Sequence, residues 1–499
     1  MKDKLIRLLK VLLGIVLIVG SVSVVSKILS YKNPSSHEHY YKDNDEYQVL
    51  FIGNSHVLNG FSPMFLWNEY GYTSYNLADM DSYLAEGYWV LINALDYSKP
   101  KVVVVDIFET DLDEKYDVTS AEGLHNGMDA IPLSLNKIRM WYDLLSEKDK
   151  HLYKDRVDFI FPLRGYHSRW NSLTEDDFKE HIDYNNGSQV VYRVAKPKDE
   201  YPVYSSKKVA DGSTVSLDYL KKIFELCKDE GIEVIVTNLS FNASDEMVPY
   251  LNKATKMAEE YGAYYIDYVH MDGLVNPVTD YFTNSKNTHL NKMGMDEVTD
   301  YLGKYIEDNK LLQREDRPEI VERWNGKYSD YKTFKMDQLS HKDELVDMQE
   351  LYSTLITVFD SDYSACISVT AGTALYDDVI TNSFINELVE DSGAEPVTDK
   401  PDLFMIRDSV DGKTSIMIGN GEKEYNCSFG KVFNYSYEGG ITSLYDENWD
   451  TDYFMPMSED TADMKILIID NENGKKLFTK EYYVQEDGLM GRIIIYDND

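Results

Sequence analysis

The sequence predicts an α/β protein, a three-layer α/β/α sandwich on a parallel sheet, followed by a mostly β domain. Three observations carry this. The runs "QVLFI", "KVVVVDI" and "IEVIVTNLS" are continuously apolar and β-branched, as expected of strands buried on both faces of a parallel sheet. Segments with apolar residues at helical spacing separate these runs, which makes the connections βαβ crossovers. Toward the C-terminus the apolar runs crowd together and the helical spacing becomes rare.

Residues 1–30 stand apart from any folded body. Lys2, Lys4, Arg7 and Lys10 precede an uncharged run from Val11 to Ser26, and Lys27 closes it. Leu5 to Leu29 can cover the hydrocarbon of a bilayer if Arg7, Lys10 and Lys27 snorkel, so this reads as an N-terminal membrane anchor or signal segment, with an uncleaved anchor preferred. The basic flank stays cytoplasmic, which places the bulk of the chain outside the cell on a single pass. Residues 31–46, "SYKNPSSHEHYYKDN" and its flank, are polar and aperiodic, and read as a linker lifting the body off the membrane.

The α/β domain is expected over 47–310. Val49 to Ile52 form its first strand and "SYNLA" the second. Leu84, Tyr88, Leu91, Ile92 and Leu95 mark a helix that Pro100 stops, and "KVVVVDIFE" follows as a buried strand. About 110–216 breaks the rhythm and reads as an insertion over the same edge of the sheet. A helix near Leu217 to Lys228, the strand "IEVIVTNLS", a helix over Met247 to Glu260, the strand "YYIDY" and a last helix through Met295, Val298, Leu302 and Ile306 complete the domain. Ligands in such folds sit beyond the carboxyl ends of the strands.

Residues 311–355 show no clear period and read as a connecting strap. The remainder, 356–499, carries the strands "YSACISVTA", "PDLFMIRDS", "TSIMIGN", "KILIIDNENGKKLFTKEYY" and "GRIIIYDND", one helix over Val379 to Leu388, and a hairpin signal at Asn473-Gly474.

Composition excludes several functions. The 499 residues carry a net charge of -37, which repels nucleic acid and suits a soluble extracytoplasmic body. Three cysteines, Cys227, Cys366 and Cys427, are too few for a fold resting on disulfides. The histidines lack metal-ligand spacing and no glycine-rich phosphate loop occurs, so neither metal nor cofactor is expected. Forty tyrosines and six tryptophans supply rings that could stack on sugars, although the same rings fill cores.

One turn raises a chemical question. "VLFIGNSH" ends a buried strand on Gly53-Asn54-Ser55-His56, and Ser55 is either a helix cap or a nucleophile displayed at the strand's carboxyl end. A nucleophile needs a base, and His289 in "NSKNTHLNKMG" precedes the last helix of the same predicted domain. A second cluster, His167, Arg169 and Trp170 in "RGYHSRWNSLTEDDF", is either a salt-bridged corner or a substrate wall.

"FIGNSH" and "THLNKMG" resemble the serine and histidine blocks of the SGNH (GDSL-like) hydrolases. "VLFIGNSHVLNGFSP", "WNEYGYTSYNLA", "KPKVVVVDI" and "YHSRWNSLTEDDF" are more specifically similar to exported Gram-positive SGNH-like proteins that accompany surface-polysaccharide genes. Alginate O-acetylation proteins and teichoic acid D-alanine transfer proteins are more distant cousins. The resemblance covers about Tyr47 to Ile306. From about Asp360, "DSDYSACISVTAG", "LFMIRD" and "GRIIIYDN" are similar to an interleukin-like domain of the EMT inducer type, which implies a binding or packing module.

The resemblance implies a serine esterase or O-acyltransferase acting on a cell-surface polysaccharide. Ser55 becomes the nucleophile and His289 its base, with the backbone N–H of Ser55, that of Ala78 and the side chain of Asn238 as oxyanion donors. His167, Arg169 and Trp170 would line the acceptor side. Implied partners are a surface glycan or acyl donor, and a membrane-bound acyltransferase or polysaccharide export machinery. The sequence departs from the family where Ala78 replaces a glycine and where Lys286 takes the place of the aspartate of D-x-x-H. Asn284, Asn287 or Asp280 could substitute. The competing expectation is an inactive SGNH-fold glycan-binding or assembly scaffold.

Overall fold

The computed structural model describes residues 2–30, 37–43, 45–116, 125, 127–145, 162–179, 181–195, 203–241, 243–283, 288–340, 345–419, 421–428, 432–438, 441–446, 462–472, 474–486 and 488–496. Strands β1 (Val49–Ile52), β2 (Ser74–Asn76), β3 (Val102–Asp106), β4 (Glu233–Asn238) and β5 (Tyr264–Asp267) form one sheet in the order β2-β1-β3-β4-β5. All four pairings are parallel. β1 and β3 are buried at every residue, which explains their unbroken apolar sequence. The chain leaves β1 toward β2 and returns to β3 on the other side, so the strand order reverses between β1 and β3, where α/β sheets place their ligands.

The described helices are α1 (Lys2–Leu29), α2 (Glu38–Lys42), α3 (Ser55–Leu58), α4 (Pro63–Tyr70), α5 (Leu84–Ala94), α6 (Leu135–Leu144), α7 (Pro162–Tyr166), α8 (Val215–Glu230), α9 (Val248–Tyr261), α10 (Lys292–Asp308), α11 (Pro318–Leu339), α12 (Met348–Val358) and α13 (Val379–Asp391). Their ends follow local chemistry. The Thr214 hydroxyl accepts the Leu217 N–H at the start of α8, and Gly231 takes the left-handed conformation at its end, φ 70°. Helix α1 carries the apolar stretch Leu9–Leu29, long and apolar enough to cross a membrane.

The chain divides into two units. The first comprises Met1–Gln189, Val203–Met271 and Thr299–Trp324, and the second Val190–Pro202, Asp272–Val298 and Asn325–Asp499. The expected α/β stretch 47–310 therefore contributes to both. The reason is packing: Val194 and Met293 lie in the core of the second unit with Leu351, Leu355, Phe384 and Ile466.

In the second unit a seven-stranded sheet runs β6-β15-β14-β13-β7-β8-β9, with all pairings antiparallel. Its strands are β6 (Leu345–Val346), β7 (Tyr363–Val369), β8 (Leu403–Asp408), β9 (Lys413–Ile418), β13 (Met464–Asp470), β14 (Lys476–Gln485) and β15 (Gly488–Ile495). A smaller antiparallel sheet joins β10 (Gly421–Asn426), β11 (Val432–Glu438) and β12 (Ile441–Asp446). The hairpin expected at Asn473-Gly474 connects β13 and β14, with Asn473 itself outside the described residues.

Three expectations change. The described residues 37–43 of the linker pack down, since His37, Tyr40 and Tyr41 are buried and the Tyr40 hydroxyl donates to the Ala94 carbonyl at 3.0 Å. The strap is largely helical, because α11 buries Ile320, Trp324, Tyr331, Lys335 and Leu339 at helical spacing. A further helix, α12, runs from the end of the strap into the C-terminal part, ahead of the expected α13.

Lys335 is held in the second unit by charge. Its amino group donates to both oxygens of Asp360, at 2.9 and 3.0 Å, and to Asp362. The rings of Tyr331 and Tyr363 lie 5.0 and 4.8 Å from it. Lys292 adds a second cation, 3.4 Å from Asp360 and paired with Asp296. A buried lysine is tolerated only with such partners.

Candidate functional site

The carboxyl edge of the parallel sheet gathers the polar groups of the first unit. β1 ends on Gly53, where a Cβ would stand 2.4 Å from Val57 Cγ2, so glycine alone lets the chain turn directly into α3. Asn54, not Ser55, caps that helix: its side-chain oxygen accepts the His56 N–H at 3.0 Å. Ser55 is the first helical residue and is partly exposed. This removes the cap reading of Ser55, because the capping role is already filled.

Asp106 closes β3 beside this turn. Its carboxylate accepts from Phe108 N–H at 2.8 Å, Leu239 N–H at 2.9 Å and the Thr237 hydroxyl at 3.0 Å, tying the end of β3 to β4. Burial pushes its pKa up to about 6 against those hydrogen bonds. The His56 ring packs on Phe108 with centroids 4.1 Å apart.

Two of the three expected oxyanion donors are engaged elsewhere. The Ala78 N–H donates to Asn76 Oδ1 at 3.1 Å, while the Ala78 carbonyl accepts from His37 Nε2 at 3.2 Å. Asn76 in turn donates to the Val57 carbonyl at 2.9 Å and to the Ser188 hydroxyl at 3.1 Å. Asn238 is buried and gives its amide to Tyr204 Oη at 2.6 Å and Asp267 Oδ1 at 2.9 Å. In this arrangement neither group points a donor outward.

Three residues of the expected insertion bond at this edge. Asn186 accepts the Asn76 N–H at 2.9 Å, Gln189 bonds to Asn59 and Leu58, and Tyr204 reaches Asn238. A further pair went unread in the sequence: Asp267-x-x-His270 has the D-x-x-H spacing, and the His270 Nδ1 lies 2.9 Å from Asp267 Oδ2. Its Nε2 donates to the Tyr204 carbonyl at 2.7 Å, so both ring nitrogens are spent on buttressing Asn238 and its neighbours.

His289 belongs to the second unit, and its surroundings there are specific. The Thr283 hydroxyl accepts the His289 N–H at 2.9 Å and lies 3.3 Å from Nδ1. The Phe282 ring stands 5.7 Å away. Of the proposed substitutes for the triad acid, Asn284 and Asn287 lie outside the described residues, as does Lys286. Asp280 turns inward instead, accepting the Asn276 N–H at 2.6 Å and the Thr279 hydroxyl at 2.9 Å, and burial raises its pKa to about 7.

Of His167, Arg169 and Trp170, Arg169 makes a salt-bridged corner. Arg169 pairs with Asp177 at 2.7 Å and donates to the Leu29 and Ser30 carbonyls at the end of α1. His167 bonds to the Arg164 carbonyl, and Trp170 is exposed. The Arg169 guanidinium is thus committed to α1 and not to a substrate wall. Among the described residues no group of three or more His, Cys, Asp and Glu is placed to hold a metal.

No protein-family model matches the chain, and no curated protein matches it.

Proposed function

We propose that this chain is a membrane-anchored extracytoplasmic serine esterase or O-acyltransferase of the SGNH type, acting on a cell-surface polysaccharide through Ser55. One observation carries the reading. Ser55 follows a fully buried strand at the point where the sheet order reverses, on a turn that only glycine allows, and the neighbouring Asn54 does the capping.

In this reading Ser55 Oγ attacks the acyl carbonyl, its proton passes to a general base, and the alcohol leaves with that proton. Water or a sugar hydroxyl then takes the acyl group from Ser55. Excluding water favours transfer. Stabilisation of the tetrahedral oxygen is weak, because the Ala78 N–H and the Asn238 amide are bonded internally. Loss of one such donor costs about a hundred- to a thousand-fold in turnover, so slow chemistry is expected.

Labelling of the full chain with a fluorophosphonate probe tests this. Covalent labelling of the wild type that Ser55→Ala abolishes supports the nucleophile; equal labelling of both, or of neither, overturns it.

The same engaged donors favour a second reading, an SGNH-fold protein that binds polysaccharide or assembles export machinery without turnover. Undiminished glycan binding by an unlabelled wild type and by Ser55→Ala would select it.

A further inference from the structure

We infer that Trp170, Phe178 and Ile182 enter the headgroup layer of the membrane that α1 crosses, so that the first unit is seated on the lipid surface. The inference rests on reading α1 as a membrane span. The apolar stretch Leu9–Leu29 has 21 residues. At 1.5 Å per residue that is about 31 Å, close to the roughly 30 Å of a hydrocarbon core. Leu29 therefore marks the boundary where hydrocarbon gives way to headgroups.

The first unit is pinned at that boundary. Arg169 Nη1 donates to the carbonyls of Leu29 at 2.7 Å and Ser30 at 2.6 Å, while its Nη2 donates to the buried Asp177 at 2.7 Å. A helix leaves its last carbonyls without internal partners, and a guanidinium there also meets the negative end of the helix dipole. Arg169 and Asp177 lie in two short 3-10 helices, His167–Asn171 and Glu175–Phe178, so both are fixed to the last turn of α1. Leu29 is buried beneath them.

Large apolar side chains on this fixed segment face outward. Trp170 is 71% exposed, Phe178 66% and Ile182 60%. In water such a grouping on a polar segment has no benefit. Beside the end of a span it has the composition of an interfacial aromatic belt, where rings with one apolar body sit among headgroups. The committed partner is a phospholipid bilayer, argued from continuity with α1 and not from the apolar patch alone.

The test uses the full chain reconstituted in vesicles of a phospholipid brominated near the top of its acyl chains. Bromine quenches tryptophan emission on contact. Quenching in the wild type at least twofold greater than in Trp170→Phe supports the inference. Equal quenching, in protein that an alkaline wash leaves in the vesicle pellet, overturns it while the anchor reading stands. Release of the protein by the alkaline wash overturns the anchor reading and the inference together.

Discussion

The Thr283 hydroxyl accepts the backbone N–H of His289 at 2.9 Å and lies 3.3 Å from the Nδ1 of the same residue. One neutral oxygen thus orients the imidazole without supplying negative charge. Thr283→Val keeps the shape and removes the oxygen, and should weaken the orientation of the ring by about 1 kcal/mol, the worth of one ordinary hydrogen bond. Imidazole proton NMR shifts of His289 read this; unchanged shifts in Thr283→Val would remove the orienting role.

His37 and Asp79 line one small cavity, and burial shifts their titration in opposite directions. Burial lowers the His37 pKa from 6.5 to about 4, partly offset by its bond to the Ala78 carbonyl. Burial raises that of Asp79 from 3.8 to about 7, partly offset by the Met80 N–H. A depressed histidine loses its contribution to stability as pH falls from 6.5 toward 4. A raised carboxyl loses its contribution as pH climbs from 3.8 toward 7. The two slopes oppose each other, each spanning on the order of 3 kcal/mol. Relative to wild type, Asp79→Asn should become more stable as pH rises from 4 to 7. The His37→Gln profile should fall over the same interval, and urea midpoints at intervals of pH would show parallel profiles if the pair were not opposed.

Lys335→Met should destabilise the second unit by about 3–5 kcal/mol, since it strands buried carboxylates. Asp360 and Asp362 are both buried and both bonded to that amine. Faster hydrogen exchange at the β7 and β13 amides is the expected signature. Adding Asp360→Asn should recover part of the loss.

Gly53→Ala forces a methyl to within 2.4 Å of Val57 Cγ2. Overpacking of this kind costs about 1–3 kcal/mol. Labelling of Ser55 should fall with it, because α3 must shift. Shortening the clashing partner in Gly53→Ala/Val57→Ala should restore labelling above the single substitution, a coupling expected only of neighbours. Thermal unfolding and labelling together check it.

The parts of the fold legible in the sequence are those whose burial is uniform. β1 and β3 are buried throughout, and Met295, Val298, Leu302 and Ile306 are all buried along α10. Helix α11 was hidden because its inward positions hold Trp324, Tyr331 and Lys335, where a period search looks for aliphatics. The site was half legible for a different reason. Adjacent Asn54 and Ser55 are equally good caps on paper, and only the bond to His56 distinguishes them. The engagement of Asn238 depends on Tyr204 and Asp267, each about thirty residues away, which no local pattern reveals.

The threading of the chain has a consequence for synthesis. Segment Val190–Pro202 belongs to the second unit, whose core also takes Ile466, Phe478 and Leu489. Val194 therefore leaves the ribosome long before its late partners exist. At about 5–20 residues per second, the roughly 300 residues in between take about 15–60 s to make. During that interval Val194 and, once made, Met293 lack the strands that complete their core. A chaperone that holds them open, or slow translation of the last strands, would decide how much of this protein matures.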